Sequence, residues 1–291
     1  MITNPIVVIT GATNGLGQIV ASELAKRGAH IVLTARSKSK AEVTERIIKN
    51  IAPNAEIDFF FGDLSLMKDV KRIGNEIKAS YPKIDVLVNN AGLHAFEQRI
   101  TSEGFSEMVA VNYFAPWLLT NILTESLIKS GNARIVNVAS EASRNHGELK
   151  LPDDLTDVNI FTSRESSSLY GKTKLLNIMF TRSLARKLEG TGVTVNALNP
   201  GFNVTGLGRE LWFASVLERI LKFLHIGDPC RGADIIIRLV LEEQYEGATG
   251  GYFNVGTGKP IIPVQPAGDT EMENKLWNYT KELLEAKDVM N

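Results

Sequence analysis

The sequence has few of the residues that build disulfide frameworks and metal sites. Among its 291 residues there is one cysteine, Cys230, and there are four histidines with no His-x-x-x-His spacing. A single thiol excludes an internal disulfide and any site made of several thiolates, so we expect no structural metal. Charge of one sign is also missing, since 32 basic residues balance 33 acidic ones. A net charge near zero gives no attraction to nucleic acid, and we expect no nucleic-acid partner.

Long hydrophobic runs are absent as well. The first apolar run, Ile6–Ile9, is too short for the core of a signal peptide, and no other run approaches the length of a membrane span. We therefore expect no integral membrane segment and a cytoplasmic protein. What is present, 44% hydrophobic and 22% charged residues, is typical of a globular protein with a sizeable core.

The chain starts with the pattern of a strand, a glycine turn and a helix. Residues 6–10 are apolar and mostly β-branched, as in a strand buried on both faces, and apolar residues recur at helical spacing from Ile19 to Ala25. Between them, glycines allow close approach of a pyrophosphate, and the helix N-terminus offers free N–H groups. The turn predicts a dinucleotide site made of Gly11, Thr13, Asn14, Gly15, Leu16 and Gly17.

The end of the second predicted strand, residues 30–34, lacks the carboxylate that usually binds the ribose of NAD. The next positions hold Ala35 and Arg36, and the next carboxylate is Glu42. A guanidinium suits the 2′-phosphate of NADP(H), because it is always charged and binds phosphate with two donors. A surface arginine without such a role is the alternative. Together with the missing carboxylate, Arg36 predicts NADP(H) as the cofactor.

Strand and helix patterns alternate along the rest of the chain. This alternation predicts an α/β fold, a doubly wound parallel sheet (Rossmann-like) with helices on both faces, in a single domain over residues 1–291. Further strands are predicted at 56–61, 84–88, 134–138, 194–197 and 252–255. Helices are predicted at 41–50, 66–80, 105–128 with an interruption near Pro116, 168–188 and 233–241. Ligands bind beyond the carboxyl ends of such strands. Those ends hold residues 11–17, Asp63, residues 89–92, Ser140 and residues 200–205.

Tyr170 and Lys174 are four residues apart on one predicted helix and therefore share a face. A nearby positive charge lowers the pKa of an acid, so we expect Lys174 to lower the pKa of the Tyr170 phenol from about 10 toward the working pH. A phenol with such a pKa can donate and accept a proton. A plain surface contact is the alternative for this pair taken alone.

These motifs together resemble those of the short-chain dehydrogenase/reductase family over nearly the whole chain. The glycine spacing resembles the compact branch of that family. Residues 35–37, 183–188 and 228–233, with Leu276 and Trp277, resemble its retinol-dehydrogenase-like NADP(H) group. The motifs that carry the resemblance are Thr10-Gly11-x-x-x-Gly15-x-Gly17, Asn89-Asn90-Ala91-Gly92, Asn112, Ser140, Tyr170-x-x-x-Lys174 and Pro200-Gly201-x-x-x-Thr205.

The resemblance implies hydride transfer between NADP(H) and the carbonyl or alcohol carbon of a substrate. In that reaction Tyr170 exchanges the proton, and Ser140 hydrogen-bonds the same oxygen. Lys174 is expected to lower the pKa of Tyr170 and to bind the nicotinamide ribose. Asn112 is expected to hold a water that relays protons, and the alternative for Asn112 is a polar residue that supports a helix kink near Pro116.

The resemblance also implies cofactor contacts beyond the glycine turn. Asp63 and Leu64 are expected at the adenine, and Asn90 along the cofactor and under the turn. Position 203 is an asparagine where the family usually has an aliphatic residue, which leaves the packing of the nicotinamide carboxamide open. The further cofactor residues implied are Arg36, Asp63, Leu64, Asn90, Ala91, Gly92, Tyr170, Lys174, Pro200, Gly201, Asn203 and Thr205.

Two segments are expected on the substrate side. An insert at about 141–168 is predicted as a lobe beside the substrate mouth, and a broad apolar segment at about 206–227 as a substrate lid. An apolar lid predicts a small hydrophobic aldehyde, ketone or alcohol. The alternatives for 206–227 are packing on the core or a neighbouring subunit, or peripheral membrane contact. His94, Glu141 and His146 could line the cleft or be ordinary loop residues.

Other functions remain open. The fold could belong to a regulator or scaffold that holds NADP(H) without turnover, although the four residues of the proposed reaction are all present. It could also belong to a C=C double-bond reductase. The resemblance further implies a homodimer that pairs through the two long helices holding Asn112 and Tyr170. Neither the substrate nor the direction of the reaction is predicted.

Overall fold

The computed structural model describes residues 4–201 and 228–287, in which seven parallel strands form one sheet with the order β3-β2-β1-β4-β5-β6-β7. The strands are β1 Ile6–Ile9, β2 His30–Ala35, β3 Ile57–Phe61, β4 Val86–Asn89, β5 Arg134–Val138, β6 Thr194–Asn199 and β7 Tyr252–Asn254. Every neighbouring pair is parallel. The order reverses between β1 and β4, which is the switch point of a doubly wound sheet. The predicted fold is confirmed.

Helices cover both faces of the sheet. The principal helices are α1 Gly15–Lys26, α2 Lys38–Ile51, α3 Met67–Ser80, α4 Glu107–Val109, α5 Ala115–Ile128, α6 Asp153–Thr156, α7 Ser163–Lys187, α8 Pro229–Leu241 and α9 Thr270–Ala286. Side chains alternate along each strand, so Val7 and Ile9 join the core beneath α1, α2 and α8, whereas Val8 joins the core beneath α3, α5, α7 and α9. Burial on both faces explains why the central strands β1 and β4 are almost wholly apolar.

The long helical stretch is interrupted before Pro116 rather than at it. A π-helical segment, Ala110–Phe114, lies between α4 and α5 and contains Asn112. Pro116 is the second residue of α5, but Phe114 before it is itself helical, so α4, the π-helical segment and α5 follow one another without a break. The interruption predicted near Pro116 is found as a change of helix type that ends at Phe114.

The insert is shorter than the predicted range 141–168. Helix α7 already begins at Ser163, because Thr162 and Glu165 form a reciprocal capping box at its N-terminus. Asp154 of α6 pairs with Lys172 at 2.5 Å, which ties the insert to α7. The predicted lid at 206–227, with Asn203 and Thr205, lies outside the described residues.

The C-terminal helix α9 packs against α5 and α7. The Trp277 ring lies 5.2 Å from that of Trp117 on α5 and 6.0 Å from that of Phe180 on α7. The fully buried carboxylate of Glu273 pairs with two arginines of α7. These are the two helices through which the sequence predicts pairing of two copies. Because α9 occupies these side chains, a homodimer would need other residues of α5 and α7 or another surface.

No helix in the described part of the chain is both long and apolar enough to cross a membrane.

Candidate active site

The turn between β1 and α1 requires glycine at its first position. Gly11 has φ +67°, and a Cβ there would lie 2.7 Å from the Cα of Ala91. The Asn90 side chain holds the turn from the neighbouring strand end, since its amide donates to the Thr10 and Gly11 carbonyls at 3.0 and 3.1 Å. Asn90 therefore supports the glycine turn. The close approach leaves a backbone cradle without side chains.

The N-terminus of α1 is open to a ligand. Asn14 precedes the helix in an extended conformation, and its side chain makes no capping hydrogen bond. No acidic residue occupies the first turn. Thr13 is partly exposed and Asn14 exposed, whereas the Leu16 side chain is buried in the core. Free N–H groups and the positive end of the helix dipole suit a phosphate at this point.

Arg36 and Asp63 meet beyond the ends of β2 and β3. Their side chains form an ion pair at 3.8 Å, and that of Arg36 is 65% exposed. Asp63 Oδ1 also accepts the N–H of Ser65 at 2.9 Å, which fixes the carboxylate. Leu64 is nearly buried. The guanidinium thus keeps donors available to a ligand, at the same edge of the sheet as the glycine turn.

Ser140, Tyr170 and Lys174 come together after β5. The Ser140 hydroxyl lies close enough to the Tyr170 phenol to lower its pKa, and Ser140 Oγ accepts the N–H of Ala142 at 3.1 Å. Lys174 is 3% exposed, and its Nζ donates to the Val138 carbonyl at 2.9 Å. The same Nζ lies 5.5 Å from the centre of the Tyr170 ring. The spacing of Tyr170 and Lys174 on α7 and the position of Ser140 after β5 therefore place these three polar side chains together.

The pKa values in this cluster differ from the prediction. Burial raises the pKa of the Tyr170 phenol to about 12, and the hydrogen bond from Ser140 offsets only part of that rise. Burial also lowers the pKa of Lys174 to about 8. The predicted lowering of the Tyr170 pKa is therefore corrected. Removal from water disfavours both charged forms, and the phenol is neutral at neutral pH.

The Asn112 side chain ties the π-helical segment to two neighbours. Its Nδ2 donates to the Leu93 carbonyl at 2.9 Å and to Thr173 Oγ1 at 3.0 Å, and its Oδ1 accepts the Leu93 N–H at 2.8 Å. These contacts match the alternative interpretation of Asn112 as a residue that supports an irregular helix.

A short segment connects the glycine turn to the lysine. Ala91 touches Gly11, and a Cβ on the next residue, Gly92, would lie 3.3 Å from Lys174 Nζ and 3.4 Å from Asn112 Oδ1. The glycine turn and the Tyr170 cluster are therefore parts of one crevice at the carboxyl edge of the sheet.

Pro200 and Gly201 follow β6 at the same edge. Gly201 has φ +76°, and its N–H donates to Asn199 Oδ1 at 3.0 Å. The same Asn199 oxygen accepts the N–H of Glu141, the residue after Ser140, at 3.3 Å. The start of the predicted nicotinamide segment is thus connected to the Ser140 loop.

One contact of the site was not predicted. The His94 ring is stacked on the Tyr170 ring, although the sequence leaves His94 as either a cleft or a loop residue. The sequence contains no signal for this contact beyond the position of His94 two residues after Gly92. Glu141, by contrast, pairs with Arg144.

A separate cavity of about 1160 Å³ lies at the amino ends of the strands. Its walls include Arg134 and Gly192, but none of the predicted site residues that the structure describes. Arg134 donates from Nη1 to the Leu239 and Glu242 carbonyls, so it caps the C-terminus of α8. The predicted catalytic residues lie instead at the opposite edge of the sheet, beyond the carboxyl ends of the strands. No group of three or more metal-ligating side chains occurs among residues 4–201 and 228–287.

Comparison with known proteins identifies relatives along most of the chain. A family model described as short chain dehydrogenase matches residues 5–151. Retinol dehydrogenase 14 of Mus musculus is 34% identical over 288 residues, which cover 94% of this chain and 84% of the relative.

Solved structures share the fold. An uncharacterised protein from Mycobacterium paratuberculosis superposes with a TM-score of 0.75 and 25% identity, covering 97% of this chain and 94% of the other. A short chain dehydrogenase from Burkholderia cenocepacia in complex with NADP gives a TM-score of 0.67 and 22% identity, covering 88% and 98%.

Proposed function

The chain belongs to the short-chain dehydrogenase/reductase family, and from this premise we propose that it transfers a hydride between NADP(H) and the carbonyl or alcohol carbon of a hydrophobic aldehyde, ketone or alcohol. One observation carries the proposal. The hydroxyls of Ser140 and Tyr170 are neighbours, Lys174 Nζ lies 5.5 Å from the centre of the Tyr170 ring, and Gly92 connects Lys174 to the glycine turn. Proton donor and dinucleotide cradle thus share one crevice.

The residues present fit a nicotinamide dinucleotide. The cradle at Gly11 leaves no room for a side chain, and the open N-terminus of α1 suits a pyrophosphate. Arg36 would bind the 2′-phosphate, while Asp63 and Leu64 would contact the adenine. The Burkholderia cenocepacia structure binds NADP on the same fold. When bound, NADP(H) supplies or accepts the hydride.

Tyr170 would act as the proton donor in reduction. With a pKa of about 12 the phenol is protonated at neutral pH, which is the form that reduction of a carbonyl needs. Ser140 would hydrogen-bond the same substrate oxygen and hold it within reach of the phenol. The neutral phenol is the form that would protonate the developing alkoxide in reduction.

Lys174 would return a proton to Tyr170. Its pKa of about 8 lies close to neutral pH, so the ammonium can give up a proton there at small cost. We propose that it also binds the nicotinamide ribose, and that Asn112 holds a water through which Lys174 regains its proton. The tight contacts of Asn112 with Leu93 and Thr173 would fix the position of that water.

The substrate class rests on two observations. Residues 206–227 are rich in large apolar side chains and are proposed as the lid, with the shorter insert at 141–162 beside it. A relative is named for retinol, a hydrophobic alcohol. The cytoplasmic location remains a prediction from the sequence.

Deuterium labelling tests the reaction type. Purified protein is incubated with NADPH carrying deuterium at the transferable position and with a panel of hydrophobic aldehydes, ketones and enones. We expect deuterium on the carbinol carbon of an alcohol product. Deuterium on the carbon β to an intact carbonyl would instead identify a C=C reductase. Tight NADPH binding without product from any panel member would identify a binding protein.

A further inference from the structure

An imidazole lies against the ring of the proposed proton donor. The rings of His94 and Tyr170 are stacked, with centroids 4.7 Å apart and planes inclined by 17°. His94 belongs to the segment after β4, whereas Tyr170 lies on α7. The contact therefore fixes two elements that are distant in sequence against each other at the site.

The imidazole also contacts Phe96 and Ser166. Its ring stacks on that of Phe96 at 4.6 Å, and its Nε2 lies 3.2 Å from Ser166 Oγ. Ser166 is fully buried, and its hydroxyl donates to the Ser163 carbonyl at 2.8 Å. Because the hydroxyl proton is already used there, the N–H of His94 Nε2 is the donor to Ser166 Oγ. The ring orientation of His94 is thus determined by its surroundings.

A fixed imidazole limits how far the phenol ring can swing. Rotation about χ2 leaves the hydroxyl oxygen on the ring axis, whereas a change of χ1 swings the whole ring and moves that oxygen. The His94 ring covers one face of the Tyr170 ring and opposes a swing in that direction. An aromatic pair contributes, beyond its buried area, the equivalent of about two- to tenfold in an equilibrium constant.

We propose that His94 is a positioning residue for Tyr170, whose stacked ring holds the phenol with its hydroxyl directed at Ser140 and the substrate oxygen. The inference rests on the proposed function, because orientation matters only if Tyr170 is the proton donor. His94 touches the face of the phenol ring, and its Nε2 lies 3.2 Å from Ser166 Oγ. The role proposed for it is to hold the ring.

Two replacements of His94 separate the effect of the ring from that of its bulk. His94→Phe keeps a flat ring, and we expect kcat within about twofold of the wild type. His94→Leu fills similar space without a ring, and we expect kcat to fall by about two- to tenfold with an unchanged KM for NADPH. His30→Leu is the matched control, because His30 pairs edge-on with Tyr81 at the amino end of β2. We expect it to leave kcat unchanged.

A spectroscopic measurement tests the stack without any turnover. The protein is prepared with isotope-labelled histidine, and the signal of His94 is identified as the one lost in His94→Leu. Protons above an aromatic face resonate upfield, so the His94 signal should be upfield of the other histidines. Tyr170→Leu should move it downfield, whereas Tyr170→Phe should leave it in place because the ring remains.

The outcomes distinguish this inference from the proposed function. Tyr170→Phe with normal activity would refute the proposed function, whatever the His94 signal shows. Loss of activity in Tyr170→Phe supports that function. The positioning role is then overturned by equal kcat in His94→Leu and His94→Phe, or by a His94 signal that Tyr170→Leu does not move. The second criterion needs only folded Tyr170→Leu and does not depend on the activity of any His94 variant.

Discussion

Replacement of Lys174 by methionine should remove a pH dependence from the free energy of unfolding, together with the proposed catalytic ammonium. Lys174 is buried, and burial lowers its pKa to about 8. In the unfolded chain the pKa of a lysine is about 10.4, so the folded state binds this proton less tightly. Below pH 8 the folded protein holds a charge that water would solvate better. Methionine has similar length and no charge.

The magnitude follows from the two pKa values. The folded-state pKa lies below the unfolded one, so stability rises with pH as Lys174 loses its proton. Linkage between a folded pKa of about 8 and an unfolded pKa of about 10.4 gives a gain of about 2 kcal/mol between about pH 6.5 and about pH 9.5. The Lys174→Met variant lacks this pH-dependent gain in the free energy of unfolding, because methionine does not titrate. The loss of the hydrogen bond to the Val138 carbonyl is common to both pH values and cancels in the difference.

Urea unfolding, followed by the fluorescence of the three tryptophans, measures the effect. The wild type, Lys174→Met and the control Lys40→Met are unfolded at both pH values without nucleotide. The free energy of unfolding of the wild type should gain about 2 kcal/mol relative to Lys174→Met on going to the higher pH. Lys40 is exposed, and its replacement should not change the pH dependence. Parallel pH dependence in the wild type and Lys174→Met would refute the lowered pKa of Lys174.

Three further predictions concern the cofactor and the fold. Arg36→Asp should weaken NADPH binding by about ten- to a hundredfold and NADH binding little, because a charge-assisted contact to the 2′-phosphate is lost. Arg46→Asp, the same charge change on α2, should affect neither, and equal losses in both variants would show that Arg36 does not read the phosphate. Gly11→Ala should weaken NADPH binding by about tenfold or more, because it combines positive φ with a contact of 2.7 Å. Gly190 also has a positive φ, +78°, but there is open space around it. An equal loss of NADPH affinity in Gly190→Ala would therefore show that the close contact at Gly11 does not form the cofactor cradle. Glu273→Gln should lower the free energy of unfolding by about 2 to 3 kcal/mol, the lower end for a broken buried pair because its arginines are a third exposed. An unchanged urea midpoint would show that this clamp does not hold α9.

Sequence patterns predicted those features that depend on neighbours along the chain. Strand β5 is found at the predicted residues 134–138, and β6 continues two residues beyond the predicted 194–197. Short β-branched runs buried on both faces are distinctive, so the fold followed from them. The spacing of Tyr170 and Lys174 on one helix and the position of Ser140 after a strand also brought the cluster together.

Features that depend on burial and on distant contacts were not predicted. The expected effect of Lys174 on the Tyr170 pKa took only the nearby charge into account, whereas burial raises the pKa of Tyr170 and lowers that of Lys174. The stack of His94 on Tyr170 joins residues 76 positions apart, which no local period reveals. The start of α7 at Ser163 was missed because polar residues fill its first turns, although the capping box of Thr162 and Glu165 is visible in the sequence.

Single-turnover reduction of a hydrophobic aldehyde, with protein in excess and NADPH saturating, tests the role of the Tyr170 hydroxyl most directly. The loss of nicotinamide absorbance is followed in the wild type and in Tyr170→Phe, and NADPH affinity is measured in both. We predict a rate at least about a hundredfold lower in Tyr170→Phe, with NADPH affinity within about twofold of the wild type. A rate in Tyr170→Phe equal to that of the wild type would show that the proton comes from another group.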